Sequence, residues 1–256
     1  MAEPAHHSGF VGLIGAPNVG KSTLLNLVLG EKIAITSDKP QTTRHRILGV
    51  WTAPGAQILF LDTPGVHKAQ NLLGRELVAQ ALEVITDVDV ILFLVEPGRR
   101  EQDETLVMES LKDTDKPIIL VINKIDRFRK PDLLPLIEAY ARKLNPAAVV
   151  PISALTGENV PALLQELVDH LPEGPQYYPP DTLTDLPERF IAAEMIREQI
   201  FRLTGQEIPY SAAVTVEEFK EESSGLIRIG AVIHVERESQ KKIVIGRGGV
   251  KLKDIG

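Results

Sequence analysis

Gly15-Ala16-Pro17-Asn18-Val19-Gly20-Lys21-Ser22 stands between an apolar, strand-like run at residues 10–14 and a helical pattern that opens with Ser22 and Thr23. Glycines in such a loop let the backbone wrap closely around phosphates with its amide hydrogens turned inward, and the helix that follows adds the positive end of its dipole. Lys21 offers a charge for the β and γ phosphates, and Ser22 a hydroxyl for Mg2+. A glycine turn can match these letters by chance. The strand before and the helix after are the setting that a phosphate loop requires, so residues 15–23 are expected to cradle a nucleotide's phosphates.

Outward from the loop, apolar runs alternate with helical patterns as far as residue 171, at 47–51, 57–62, 88–95, 117–123 and 149–153. That alternation predicts an α/β fold, a P-loop NTPase domain whose mostly parallel sheet is covered on both faces by helices. Only residues 52–56, with Pro54 and Gly55, separate the second run from the third. A hairpin is expected there, and with it one antiparallel edge strand. Residues 172–187 carry Pro172, Pro175, Pro179, Pro180 and Pro187 and little apolar periodicity, which reads as an interdomain linker. A helical pattern at 188–203, strand patterns at 211–219 and 226–236, and a short helix before Gly246 follow. The organisation expected is a nucleotide-binding domain at 8–171, a linker at 172–187 and a smaller α+β domain at 188–256.

Bulk properties exclude several classes. The chain has 256 residues, 43% hydrophobic and 25% charged, as expected of a globular protein rather than a disordered or fibrous one. No apolar run is long enough to span a bilayer, and residues 1–7 lack the regions of a signal peptide. The absence of cysteine leaves no thiolate metal site and fits a cytoplasmic setting. A net charge of −7 argues against general nucleic-acid binding, DNA included, but basic residues gather locally: Lys241, Lys242, Arg247, Lys251 and Lys253 lie within a short stretch.

Two further segments address the nucleotide. Asp62-Thr63-Pro64-Gly65 ends a strand, where a carboxylate faces the ligand crevice and can hold Mg2+ while the Gly65 amide senses a γ phosphate. Asn123-Lys124-Ile125-Asp126 follows another strand and selects the base. The Asp126 carboxylate can accept hydrogen bonds from the ring N–H and the exocyclic amine of guanine; adenine has no such pair of donors and would leave the charge unmatched. Asn123 can bond the base edge or tie loops together, the stem of Lys124 can cover the ring, and in Ser153-Ala154-Leu155 the Ala154 amide is placed to donate to the guanine carbonyl.

These segments, with Gln41-Thr42-Thr43-Arg44-His45-Arg46, Glu236-Arg237-Glu238-Ser239-Gln240-Lys241-Lys242 and Ile245-Gly246-Arg247-Gly248-Gly249, resemble the Era family of translation-factor-related GTPases over essentially the whole chain after residue 8. The resemblance implies Mg2+-dependent hydrolysis of GTP to GDP and phosphate, and binding of ribosomal RNA near the 3′ end of the small-subunit RNA during biogenesis of the 30S subunit. It makes residues 41–45 the first switch, with Thr43, or alternatively Thr42, as ligand of Mg2+ and the γ phosphate. Lys21, Thr43, Gly65 and Asn18 are then the residues expected to act in hydrolysis. Val66 stands where Ras-like enzymes place a water-orienting glutamine, and it cannot do that work. Asn18 either shapes the loop or holds a K+ ion beside the phosphates, as asparagine here does in related GTPases. His67 reads as a surface histidine rather than a base.

Gly246-Arg247-Gly248-Gly249 matches the GXXG loop that clamps single-stranded nucleic acid in KH domains, and its place after helix, strand, strand and helix fits a KH fold of the second type. Lys241, Lys242, Arg247, Lys251 and Lys253 suit phosphate contacts around it. Family KH domains continue beyond this loop, so the domain is expected to be incomplete at Gly256. Two other classes compete: a binding module with negligible turnover, and a membrane-associated signalling GTPase, for which the chain has neither a basic amphipathic helix nor a lipidation motif. Peripheral association with the inner face of the cell membrane stays open under the resemblance.

The base assignment makes a direct prediction. Asp126→Asn presents a donor where the carboxylate met an amine, so preference should pass from guanine to xanthine. Titration with GTP and XTP checks this, and GTP binding unchanged in the variant removes Asp126 from the site.

Overall fold

Strand β4 (Val90–Val95, VILFLV) is buried at every position, which is what a strand covered on both faces by helices requires. Around it the computed structural model, which describes residues 5–39, 42–66, 72–98, 104–205 and 208–256, builds a six-stranded sheet. The other strands are β1 (His7–Gly15), β2 (Ile47–Ala53), β3 (Ala56–Asp62), β5 (Ile118–Ile122) and β6 (Ala148–Pro151), in the spatial order β2-β3-β1-β4-β5-β6. All pairs are parallel except β2–β3, the hairpin turned by Gly55, and β2 is an edge strand. The expected fold class and its antiparallel edge are therefore found as read.

Helices α1 (Lys21–Leu29), α2 (Leu72–Asp87), α3 (Thr105–Leu111), α4 (Lys130–Leu144) and α5 (Val160–His170) alternate with the strands. On one face Val78, Ala81, Val84 and Ile85 of α2 meet Ile91 and Phe93 of β4 and Leu120 of β5 in one apolar cluster. The chain leaves β1 toward β2 and β3 on one side and returns to β4 on the other. The carboxyl end of β1 is thus the point where strand order reverses, and ligands of open α/β sheets bind at such a point.

By its internal packing the chain divides into two units, Met1–Ile33 with Thr43–Asp185, and Ala34–Thr42 with Leu186–Gly256. In the first unit the proline-rich stretch is fastened down. Ser8 donates its amide to Pro172 and its hydroxyl to Pro175, Val50 N–H donates to Leu183, and Thr184 Oγ1 donates to Leu48. Gln57, fully buried on β3, accepts from the amides of Tyr177 and Tyr178 and donates to the Tyr178 carbonyl at 2.9 Å. Prolines remove donors and helical options but do not prevent a chain from lying along an edge strand.

The second unit holds α6 (Glu188–Leu203), the one-turn α7 (Ile208–Ser211), the antiparallel pair β7 (Ala212–Glu221) and β8 (Ile227–Val235), α8 (Glu238–Ile245) and α9 (Val250–Ile255). Its core is small: Ile200, Ile208, Ala212, Val244 and Ile255, flanked by Ile196, Val214, Ile233 and Val235. Residues 34–42 join it through polar contacts that no local pattern announces. Lys39 Nζ donates to the carbonyls of Phe201 and Thr204, which end α6, Thr36 Oγ1 donates to Glu198, and Arg197 donates to the Thr42 carbonyl. A lysine at a helix C-terminus satisfies orphan carbonyls and meets the negative end of the dipole.

Gln57 provides the test of the fastened stretch. Gln57→Leu leaves the amides and the carbonyl it serves without partners, so stability should fall by about 1–3 kcal/mol, and residues 172–180 should be cut earlier in limited proteolysis. Unchanged stability together with an unchanged cleavage pattern would show that these bonds contribute nothing.

Candidate nucleotide site and basic loop

The parallel strands deliver their loops to one edge of the first unit's sheet. Leu13 of β1 is level with Asp62 of β3, Gly15 with Leu94 of β4, and Ile122 of β5 with Pro151 of β6. Loops 15–20, 63–66, 123–126 and 152–155 consequently start side by side. Two glycines set their spacing. A Cβ on Gly20, whose φ is 107°, would collide with Asn123 Nδ2, and one on Gly65 would stand 2.6 Å from the Pro17 nitrogen. Val66 N–H donates to the Gly15 carbonyl at 3.1 Å, and Thr63 Oγ1 donates to the Leu13 carbonyl at 2.7 Å.

Where phosphates are expected, Asp62 is fully buried. Its Oδ2 accepts from Ser22 Oγ at 2.6 Å and from Thr43 Oγ1 at 3.4 Å, and the two hydroxyls are 3.1 Å apart. Its Oδ1 has no hydrogen-bond partner among the described residues. Burial raises the Asp62 pKa above the usual carboxylate value, against the opposing pull of the Lys21 charge and of hydrogen bonds from Ser22, Thr43 and Thr63. Lys21 is itself buried and donates to the carbonyls of Gly15 and Ala16, each at 3.1 Å. One carboxylate with an unmatched oxygen and two hydroxyls form a hard-oxygen set of the kind Mg2+ takes. The structure brings together the three residues expected at the metal, Ser22, Thr43 and Asp62. Of the two threonine alternatives, Thr43 is the one beside Asp62; the carbonyl of Thr42 is engaged by Arg197. Gln41 and His67 lie outside the described residues.

Where a base is expected, the loops are tied to one another. Asn123 Nδ2 donates to the Val19 carbonyl at 2.8 Å, and Asn123 Oδ1 accepts from the amides of Lys124 at 2.8 Å and Ala154 at 2.9 Å. Asn123 therefore takes the loop-tying alternative. The Ala154 amide, expected to face a guanine carbonyl, donates here to Asn123 instead, because the Asn123 side chain lies between the two loops. Asp126 Oδ1 accepts from Ser153 Oγ at 2.6 Å, and Leu155 beside it is exposed. Asn18 has a left-handed backbone, φ 62°, and its carbonyl accepts from Lys124 Nζ at 2.8 Å. Lys124 Nζ is also paired with Glu96, just beyond β4. Sequence reasoning passed over Glu96, although its place at a strand's carboxyl end, like those of Asp62 and Asn123, was the available signal. Val66 is fully buried in the apolar cluster of the sheet, so its side chain does not orient water.

In the second unit, Gly246, Arg247, Gly248 and Gly249 form the turn between α8 and α9. Gly248 and Gly249 have φ of 63° and 79°, and an added Cβ at either meets no described atom within 4 Å, so the loop's outer face is open. Lys241, Lys242, Arg247 and Lys253 are exposed and Lys251 is half-buried. Lys241 stands 4.0 Å from Glu238, a marginal ion pair on the surface of α8.

Comparison with known proteins matches both units. Residues 10–124 match the family of 50S ribosome-binding GTPases and residues 207–256 the KH domain family. The chain is 56% identical to the GTPase Era of Geotalea daltonii, over 100% of this chain and 86% of that protein. It is 53% identical to the GTPase Era of Lacticaseibacillus paracasei, over 98% of this chain and 84% of that one. A crystal structure of Era with MgGDPNP and nucleotides 1506–1542 of 16S ribosomal RNA superposes with a TM-score of 0.92 at 43% identity, covering 98% of this chain and 86% of that chain. An Aquifex aeolicus Era variant bound to GDP and AlF4− superposes with a TM-score of 0.91, with the same identity and coverage.

The buried carboxylate carries a stability prediction. A raised folded-state pKa means that ionisation of Asp62 opposes folding; the penalty is absent below the ordinary carboxylate range and grows as pH rises through the folded pKa. In nucleotide-free protein without divalent cations, Asp62→Asn should melt higher than wild type at pH 8, and the difference should vanish toward pH 4. A variant that melts lower at pH 8 contradicts the assignment.

Proposed function

This chain belongs to the Era family of GTPases, and from that membership and its geometry we propose that it binds GTP with Mg2+ at residues 15–23 and their neighbours, hydrolyses it to GDP and phosphate, and binds the 3′ region of 16S ribosomal RNA through residues 188–256 during assembly of the small subunit. The observation that carries the reading is the Asp62, Ser22 and Thr43 cluster, with a buried carboxylate oxygen unmatched beside the phosphate loop.

In this reading the amides of residues 15–23, Pro17 excepted, surround the phosphates, and the Lys21 ammonium turns from the loop carbonyls to the β and γ oxygens. Ser22, Thr43 and Asp62 would hold Mg2+, which would supply charge neutralisation at the phosphate oxygens. The Gly65 amide senses the γ phosphate. Asp126, steadied by Ser153, reads guanine, while Lys124, Ala154 and Leu155 flank the base. Asn123 contributes indirectly by joining three loops.

Val66, buried and apolar, cannot orient water after Gly65, so turnover in this reading calls on other charge. A K+ ion held by Asn18 beside the β and γ phosphates is our reading of that charge, acting as an arginine does elsewhere. RNA binding falls to Gly246, Arg247, Gly248 and Gly249 with Lys241, Lys242, Lys251 and Lys253, whose charges suit a phosphate backbone. We place the protein in the cytoplasm with the 30S subunit. No helix among the described residues is long and apolar enough to cross a membrane, and the membrane association we consider is peripheral.

Three measurements test this. Lys21→Ala should bind GTP weakly or release no phosphate, and wild-type turnover in it sinks the phosphate-loop assignment. Hydrolysis should be faster in potassium than in sodium, with Asn18→Ala removing the difference; equal rates in both salts leave Asn18 a loop-shaping residue. Arg247→Asp combined with Gly248→Asp should abolish binding to a 16S 3′-end oligonucleotide while sparing GTP binding, since acidic groups would then face phosphates.

A further inference from the structure

Lys124 and Asn18 both carry left-handed backbones, φ 65° and 62°, a region uncommon for a lysine and entered more readily by asparagine. They sit on different loops and are joined by one ammonium: Lys124 Nζ donates to the Asn18 carbonyl at 2.8 Å and is paired with the Glu96 carboxylate. Both side chains of that pair are about three-quarters buried, with relative exposures of 24% and 22%. A partly desolvated pair is screened less by water and salt than a surface pair and fixes its geometry more firmly.

The pair has a second consequence. Glu96 places a negative charge among loops that, in the function proposed for them, receive a polyanion. Alone that carboxylate would repel nucleotide; paired with Lys124 it does not. We infer that Glu96 is a positioning residue for guanine-nucleotide binding: its carboxylate holds the Lys124 ammonium on the Asn18 carbonyl, which braces the phosphate loop and fixes the Lys124 stem as one wall of the base pocket. The inference rests on the nucleotide-site reading. The two lysines then differ in role. Lys21 serves phosphates, whereas the charge of Lys124 is consumed within the protein and its methylene stem faces the base.

A double-mutant cycle distinguishes this role from mere structural support. Glu96→Gln releases the ammonium from its counter-charge. Lys124→Ala removes the wall and strands the carboxylate. The combined variant removes the wall but leaves no stranded charge, so it should bind nucleotide better than Lys124→Ala alone.

The experiment measures mant-GDP dissociation by stopped flow, and kcat and KM for GTP, in the full chain with Asp126→Asn as a control of the site. Glu96→Gln should release mant-GDP about three- to thirtyfold faster, the range of coupling between residues in contact, and raise KM with kcat unchanged, as loss of uniform binding does. Wild-type dissociation in Glu96→Gln, or a combined variant that is worse than Lys124→Ala, overturns the inference. If Asp126→Asn leaves GTP binding intact, the nucleotide-site reading itself fails; if Asp126→Asn behaves as expected and Glu96→Gln does not, only the role of Glu96 falls.

Discussion

Burial of the Asp62 carboxylate is the constraint around which the first unit is arranged. Taking such a charge out of water costs several kcal/mol even after relaxation, and here it stands at the end of a central strand with no exposure. The neighbours offset part of that cost: the Lys21 charge, the hydroxyls of Ser22 and Thr43, and the Thr63 amide. They do not offset all of it, since the pKa remains raised and Oδ1 remains unmatched among the described residues. A fold selected only for stability would place an apolar residue there. A divalent cation joining the cluster, as proposed, would relieve the tension and link binding energy to folding energy at this atom.

The loops proposed to receive the base follow the opposite design. Asn123 spends both ends of its amide on neighbouring loops, Lys124 links the Asn18 carbonyl to Glu96 through one ammonium, and Ser153 restrains the Asp126 carboxylate. Specificity for a base depends on a carboxylate being held in one place, because a mobile one would adapt to other edges. The two ends thus divide the work: one is geometrically settled before ligand arrives, and the other is electrostatically incomplete.

Much of this was legible in the residues, for a local reason. β1, β4 and β5 read as continuous apolar runs because helices cover both faces, and the short gap at 52–56 can only turn a hairpin. The residues proposed for the site, 15–22, Asp62 and 123–126, could be picked out because each group stands at the carboxyl end of a strand. The bounds of α6, Glu188–Leu203, coincide with its apolar periodicity. What escaped reading depends on pairings distant in sequence. Gln57 reaches Tyr178, and Lys39 reaches Phe201 and Thr204. Glutamine in a strand and lysine in a loop carry no mark of such partners. The bond from the Ala154 amide to Asn123 Oδ1 escaped for the same reason, since the two residues lie far apart in the chain.

The two glycine-opened loops use similar backbone means to different ends. Residues 15–22 surround a buried lysine and adjoin a buried carboxylate, so the charges there are few, fixed and shielded from solvent. That suits a compact triphosphate, whose oxygens can be matched one by one. At residues 246–249 the glycines again free the backbone, but the nearby cations are exposed or half-buried rather than enclosed. Exposed cations attract at longer range and are screened by salt. That suits an extended phosphate chain, bound by the sum of several weak contacts along its length. In the proposed reading, burial, more than the choice of basic residue, therefore separates a site for a small nucleotide from a surface for its polymer.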